Sequence, residues 1–186
     1  MIRPRGRPAH GKGVARDDIL NAALTLLDES GGRGLTMRAL ATRLGVTPMS
    51  LYHYVGDQAG LLRALSDRVY AEVLEGAGEL ADQRAEIRAL LTRYHQAVGR
   101  HPQLTLAIFA TPEAFAGVTR HITDRLTMLL GKITAEPILW RDILVDHAHG
   151  SGLALTSVRG EQMQVQAIQV QYRQALDRLL DRLAGL

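Results

Sequence analysis

The stretch TMRALATRLGVTPMSLYHYVGDQ, residues 36–58, predicts two short helices joined by a sharp turn. Thr36 and Thr47 each stand where an N-cap hydroxyl would satisfy an otherwise unpaired backbone N–H group. Pro48 follows at the first position of the second helix, where its missing N–H costs nothing. Gly45 falls between the helices, where a left-handed residue can end the first one and redirect the chain.

Apolar residues bracket both predicted caps. Leu35 with Leu40, and Val46 with Leu51, have the spacing of hydrophobic staples. Ala41 is small enough to let the two helices approach closely. The predicted buried side consists of Leu40, Leu44, Leu51 and Val55.

The second helix leaves a polar and aromatic face for other contacts. Its positions not used for packing hold Thr47, Met49, Ser50, Tyr52, His53 and Tyr54. Hydroxyl groups can bond base edges or phosphates, a thioether can contact a thymine methyl, and a tyrosine hydroxyl can reach the DNA backbone. An ordinary helical hairpin would carry the same caps, but the glycine turn, proline start and polar face together favour DNA binding.

The segment that extends from this stretch in both directions, ILNAALTLLDESGGRGLTMRALATRLGVTPMSLYHYVGDQAGLLRALSDRVYAEV at residues 19–73, resembles the DNA-binding domain of the TetR family of bacterial transcriptional regulators. The most specific part is SLYHYVGDQAGLL, residues 50–62. Family members carry a Leu-Tyr dipeptide, then an aromatic residue, an apolar residue and a lysine. The corresponding residues are Leu51, Tyr52, Tyr54, Val55 and, in place of the lysine, Gln58.

The resemblance assigns roles to individual residues of this segment. It implies phosphate contacts for Arg38 and Tyr52. It places three residues nearest the base edges, namely Pro48, Met49 and Ser50. Gln58 departs from the family pattern, since it can offer a phosphate only a neutral hydrogen bond where a lysine would offer a charge.

The resemblance also implies a function for the whole chain. The expected protein is a homodimeric repressor that binds an inverted-repeat operator in double-stranded DNA and is released by an apolar or amphipathic small molecule in its C-terminal domain. An activator and an effector-independent DNA binder remain open as alternatives. A small helical enzyme that carries a DNA-binding head is a further one, although no recognisable catalytic residues accompany it. No cofactor and no metal are expected.

Composition limits the remaining possibilities. The chain has 186 residues, 46% of them hydrophobic, which suffices for a DNA-binding domain and one helical core domain. It has no cysteine, so disulfides, thiolate catalysis and cysteine-based zinc sites are excluded. No apolar run approaches the roughly 20 residues of a membrane span, and we expect a soluble, cytoplasmic protein without membrane contact.

Charge and glycine suggest the domain boundaries. Residues 1–16 contain five basic residues and no acidic one, so residues 1–15 are predicted to form a flexible basic arm. This arm is either a solubilising tail or a minor-groove contact, and the nearby helix pair favours the groove. Residues 16–76 would form the helix-turn-helix domain and residues 77–186 the effector-binding and dimerisation domain.

Helical periodicity continues through the rest of the chain, so the predicted class is all-α. The expected helices cover residues 16–30, 58–76, 82–99, 104–110, 113–131, 137–158 and 161–183, besides the two of the central stretch. The last two helices carry more apolar residues than one monomer face needs. We therefore predict that they pair with their mates in a four-helix dimer interface.

Polar groups among apolar residues are the candidates for an effector site. The ligand-binding candidates are Tyr94, His95, Phe109, His121, Met128, Trp140 and His147. Such a set suits an apolar pocket with a few polar groups, although a single histidine or methionine on a helix is more often a packing residue. His147 and His149 are two residues apart and point in different directions on a helix, which makes a poor metal pair.

Overall fold

The computed structural model describes residues 14–31, 34–76, 82–158 and 161–183, and all regular structure in these ranges is helical. The predicted all-α class is confirmed. The α-helices are α1 (Arg16–Glu29), α2 (Met37–Leu44), α3 (Pro48–Val55), α4 (Gln58–Tyr70), α5 (Gln83–Arg100), α6 (Pro102–Phe109), α7 (Val118–Leu130), α8 (Pro137–Ala154) and α9 (Gln162–Leu183). Of the predicted basic arm, residues 1–13 lie outside the described residues.

The helix pair α2 and α3 has the local chemistry that its sequence predicts. The Thr36 hydroxyl accepts a hydrogen bond from the Ala39 amide at 3.1 Å, and the Thr47 hydroxyl accepts one from the Ser50 amide at 3.3 Å. Gly45 is left-handed, with φ 65° and ψ 29°. Both caps and the turn are therefore confirmed, and they set the angle at which α3 leaves α2.

Helices α1 to α4 share a hydrophobic core. Leu40, Leu51 and Leu61 are fully buried, and Leu44 is partly buried at the edge of the same core. Complete burial of one leucine side chain contributes about 1.5–3 kcal/mol. The apolar side of α3 thus anchors the helix, and its opposite side stays free.

Helix α4 joins the N-terminal helices to the rest of the molecule. It packs against α1 and α3 on one side and against α5, α6 and α7 on the other. The sequence predicts one helix over residues 58–76, but the α-helix ends at Tyr70 and continues as a 3₁₀ turn, Ala71–Leu74. Tyr70 and Val73 are both buried there, so packing against the C-terminal helices holds the altered turn.

The predicted helix over residues 113–131 is divided in the structure. A short 3₁₀ turn, Pro112–Ala114, precedes α7, and Gly117 between them has φ 58° and ψ −130°. Glycine is the residue that adopts such a conformation without steric cost. Since Gly117 has no side chain to cap α7, the carboxylate of Asp67 on α4 accepts the Val118 amide at 2.9 Å instead.

The C-terminal helices pack around α5 and α8. Gly152 on α8 lies so close to α5 that an added Cβ would meet Val98 Cγ1 at 2.7 Å. A partly buried ion pair joins Glu86 on α5 to Arg125 on α7, and the Tyr172 hydroxyl on α9 donates to the Leu91 carbonyl at 3.0 Å. These contacts fix α7, α8 and α9 against one central helix.

The predicted boundaries of α6 and α8 also shift. Pro102 begins α6 rather than separating it from the preceding helix, because proline is favourable at the first helical position. Helix α8 ends at Ala154, and residues 155–158 form a 3₁₀ turn. Within the described residues, no helix is both long and apolar enough to cross a membrane.

Candidate functional site

The outward face of α3 is the first candidate site. Met49 is 65% exposed, Tyr52 42% and Tyr54 45%, although all three have large side chains. Pro48 and His53 are exposed as well. Large exposed apolar and aromatic groups on one short helix indicate a binding surface.

Two hydroxyl groups lie together at the N-terminus of α3. Thr47 Oγ1 and Ser50 Oγ are 3.0 Å apart, and the Thr47 oxygen already accepts the Ser50 amide. Ser50 is half-buried, whereas Thr47 is exposed. This pair holds the tip of α3 in one conformation and keeps hydrogen-bonding groups beside Met49.

Basic residues flank this face. Arg38 is exposed on α2. A cleft beside the C-terminal end of α3 is bounded by Arg16 of α1, Tyr54 of α3 and Arg63 of α4, with one acidic residue, Asp67, also in its wall. Guanidinium groups bind phosphate oxygens well, so the cleft extends the candidate interface to two arginines that the sequence argument did not single out for DNA contact. Both arginines lie outside residues 47–54 in the sequence, so the pattern of α3 alone could not indicate them.

Gln58 has a second use that the sequence did not reveal. Its side-chain nitrogen donates to the Leu35 carbonyl at 3.1 Å, across 23 residues of chain. This bond ties the start of α4 to the segment that leads into α2. The amide therefore stabilises the helix pair, whether or not it also meets a phosphate.

A cavity between α4, α5, α6, α7 and α8 is the second candidate site. Its volume is about 50 Å³, and its wall consists mainly of aromatic and aliphatic side chains. Two predicted ligand residues, Tyr94 and Phe109, line it. The structure adds Tyr70, Thr105, Phe115, Ile122 and His149.

Hydrogen bonds and ring contacts order the cavity wall. The Tyr94 hydroxyl lies 2.5 Å from His149 Nε2, and the Tyr70 hydroxyl lies 2.7 Å from Thr105 Oγ1. The Phe109 ring meets the His149 ring edge-on, with 4.7 Å between the ring centres. Burial lowers the pKa of His149 and raises the pKa of Tyr70 to about 12.

The other predicted ligand residues lie outside this cavity. His95 stacks on Tyr172 with 3.8 Å between ring centres, and its Nε2 lies 3.0 Å from Ser151 Oγ. Burial, followed by the nearby His147, lowers the pKa of His95 to about 4. His147 also stacks on Tyr172, at 5.1 Å. Both histidines therefore pack between helices α5, α8 and α9.

Three further candidates have different surroundings. His121 and Met128 are exposed on α7, and Trp140 is buried in the core on α8. The structure does not bring any of the three to the cavity wall. Among the described residues there is also no group of three or more His, Cys, Asp or Glu side chains that could hold a metal ion.

Residues 19–65 match the family model described as "Bacterial regulatory proteins, tetR family". The chain is 35% identical over 109 residues to an uncharacterized helix-turn-helix-type transcriptional regulator of Mycobacterium tuberculosis, covering 52% of this chain and 50% of the relative. It is 36% identical over 95 residues to the tetracycline repressor protein class D of Escherichia coli, covering 46% and 44%. The chain thus spans about half the length of the curated relatives it matches.

Similarity in fold extends further than similarity in sequence. The crystal structure of BioQ from Mycobacterium smegmatis superposes with a TM-score of 0.76 at 24% identity, covering 92% of this chain and 98% of that one. A crystal structure of BioQ with its double-stranded DNA operator gives 0.69 at 24% identity, covering 93% and 99%. At this identity the likeness establishes the arrangement of the helices in both halves of the chain.

Proposed function

We propose that this chain, whose residues 19–65 match the model of the TetR family of bacterial regulatory proteins, is a transcriptional repressor that binds operator DNA. The observation that carries the proposal is the exposed face of α3, held outward by a buried apolar side and two threonine caps. Relatives in sequence are named as regulators and repressors. We therefore propose a binding rather than a catalytic function, exercised in the cytoplasm.

Helix α3 is proposed to lie in the major groove. Met49 and Ser50 near its N-terminus would then meet base edges, and Tyr52 would reach the phosphate backbone. Flanking phosphates are proposed to run along Arg38 on α2 and the cleft of Arg16 and Arg63. The contact set of this proposal is Arg38, Thr47, Pro48, Met49, Ser50, Tyr52, His53, Tyr54 and Gln58.

A homodimer through α8 and α9 is proposed as the form that binds DNA. Both helices expose large apolar side chains, namely Ile138, Leu139 and Ile143 on α8 and Met163 and Val170 on α9. Pairing of these helices with their mates would remove that surface from water. A two-fold dimer would place two α3 helices on half-sites separated by about 34 Å or a multiple of it, hence an inverted-repeat operator.

Release by a small molecule is proposed to pass through α4. Tyr70, the last residue of α4, lines the cavity, and Asp67 one turn earlier caps α7 beside cavity residues Phe115 and Thr119. A ligand that displaces the cavity wall would change both contacts. Because α4 also packs against α1 and α3, such a displacement would alter the position of the DNA-binding helices.

The test begins with the DNA upstream of the protein's own gene. An inverted repeat found there is expected to be shifted by the protein in a gel, with affinity that falls steeply as salt rises. The Tyr52→Ala variant should bind it more weakly, whereas Gln96→Ala, an exposed change on α5, should not. Absence of binding to any duplex at low salt would refute the proposed function.

A further inference from the structure

The hydroxyl groups in the cavity wall already donate their protons within the protein. Thr119 Oγ1 donates to the Ala116 carbonyl at 2.9 Å, and Thr123 Oγ1 donates to the Arg120 carbonyl at 2.8 Å. A hydroxyl has one proton to donate and two lone pairs to accept. These two threonines therefore present acceptors, and no free donor, to a molecule in the cavity.

The hydroxyl of Tyr70 also donates its proton within the protein. Thr105 Oγ1 donates to the His101 carbonyl at 3.2 Å, so the hydrogen bond of 2.7 Å between Thr105 and Tyr70 takes its proton from the tyrosine. Burial raises the pKa of Tyr70 to about 12, which keeps this hydroxyl protonated. Tyr70 thus also offers only acceptor capacity.

Tyr94 and His149 form the remaining polar pair. Burial raises the pKa of the Tyr94 phenol and lowers that of His149, so both groups are neutral at pH 7. A phenol is the stronger donor and a neutral imidazole nitrogen the stronger acceptor, which directs the Tyr94 proton to Nε2 across 2.5 Å. The free lone pairs of Tyr94 are again acceptors, and the neutral His149 ring then carries its proton on Nδ1.

The described part of the cavity wall contains no charged side chain. None of the described residues that line the cavity is Asp, Glu, Lys or Arg. An ionised ligand enclosed here would lose its hydration without gaining a partner of opposite charge, which is strongly unfavourable. An anion would in addition find acceptors at the wall hydroxyls, where it needs donors.

We propose that this cavity takes an uncharged aromatic molecule that donates a hydrogen bond, such as a phenol or a hydroxylated fused ring. The ring would replace the contacts that Phe109 and Phe115 now make, and its hydroxyl would donate to one of the wall oxygens. The inference rests on the proposed function, because it names the chemical class of the effector.

The mouth of the cavity allows such a molecule to enter. Phe109 is 54% exposed and Phe115 45%, so both rings already stand partly in solvent. The present volume of about 50 Å³ is enough for ordered water, which needs about 10–15 Å³ of such space, but is smaller than the roughly 150 Å³ of a cavity that takes benzene. Entry therefore requires these two rings to turn outward, which exposed side chains do readily.

Four probes with one ring system test the class by isothermal titration calorimetry. We expect 2-naphthol to bind at least tenfold more tightly than each of the other three. These are 2-methoxynaphthalene, which has no hydrogen-bond donor, the anion 2-naphthoate, and the cation of 2-naphthylmethylamine. Equal affinity of the methyl ether would overturn the donor assignment. Equal affinity of either ion would overturn the uncharged class, and failure of 2-naphthol to bind would overturn the aromatic one.

The Tyr94→Phe variant gives a sharper signature. Without the tyrosine proton, His149 Nε2 becomes an open acceptor, so 2-naphthol should keep or gain affinity while 2-methoxynaphthalene does not gain. Equal weakening of both probes would contradict the hydrogen-bond assignment. The matched control is Tyr172→Phe, which removes a buried hydroxyl outside the cavity and should leave both affinities unchanged.

Gel shifts on the operator separate this inference from the proposed function. In one outcome the protein binds the operator, a charged compound releases the protein from it, and 2-naphthol neither binds the protein nor releases it. The proposed regulatory function then holds and the proposed ligand class is wrong. If 2-naphthol binds as expected but no duplex is bound, the ligand class stands and the regulatory function is wrong.

Discussion

The α3 face and the cavity differ in how far apart along the chain their parts lie. The α3 face comes from residues 47–54, and its caps and turn are satisfied within three residues. The cavity brings together five helices, with hydrogen bonds that span 35 residues between Tyr70 and Thr105 and 55 between Tyr94 and His149. The first is a local structure that packing holds in place, and the second exists only when the whole helical body is assembled.

The largest effect should come from the buried side of α3. Leu51→Ala removes a fully buried side chain and is expected to lower the free energy of unfolding by about 2–5 kcal/mol. Met49→Ala on the exposed side should change it by less than about 0.5 kcal/mol. Urea denaturation measures both. Equal losses would mean that the two faces of α3 are not distinct.

The stability of the C-terminal helices, where His95 is packed, should depend on pH. The pKa of His95 is lowered to about 4 in the folded state from 6.5, so the unfolded chain binds more protons between these values. The contribution of His95 to the free energy of unfolding is therefore fully present above about pH 6.5. It is lost as the pH decreases toward 4, by on the order of 1–2 kcal/mol after solvent screening. Denaturation at pH 7, 5.5 and 4.5 should show a flatter dependence for His95→Phe. An unchanged slope would contradict this origin.

Removing one helix cap at a time distinguishes a local hydrogen bond from a long-range one. Thr47→Ala removes a cap within α3, and Asp67→Ala removes the cap that α4 supplies to α7, each at a cost of about 1 kcal/mol. Hydrogen exchange should then rise only at the start of α3 in the first variant, but at the start of α7 in the second. Faster exchange at α7 in Thr47→Ala would show that the regions are coupled more tightly than proposed.

The smallest effect concerns charge on the proposed DNA face. Arg38→Ala should reduce the slope of log affinity against log salt by about 1, because one phosphate contact is lost. Arg43 on the same helix is bound to Glu29 at 2.5 and 2.8 Å, so Arg43→Ala should change the slope less. Ser50→Ala should instead alter preference at particular base pairs. Identical sequence profiles for the Arg38 and Ser50 variants would end this division of roles.

The sequence predicted what depends on neighbouring residues. The caps at Thr36 and Thr47 and the turn at Gly45 all follow from residues that act within three or four positions, and all are present. The end of α4 at Tyr70 and the break before α7 were not predicted, because partners on other helices determine them. Tyr70 could not be assigned to the cavity either, since the residues around it carry no sign of which helix it will face.

The same distinction explains the histidines. Imidazole rings on amphipathic helices look alike in sequence, yet His95 and His147 stack on Tyr172 while His149 reaches the cavity. Which of them meets a cavity depends on the rotation of α5 and α8 about their own axes. That rotation is fixed by packing such as the close approach at Gly152.

The contact between Gly152 and Val98 also bears on how two copies could communicate. With no side chain at Gly152, the backbones of α5 and α8 approach closely, and any side chain added there would clash with Val98. Helix α8 is the proposed partner of its mate across the two-fold axis, and α5 carries Tyr94 in the cavity wall. In the proposed dimer, a displacement of α5 at the cavity of one copy would therefore be passed directly to α8 and across the interface to the neighbouring copy.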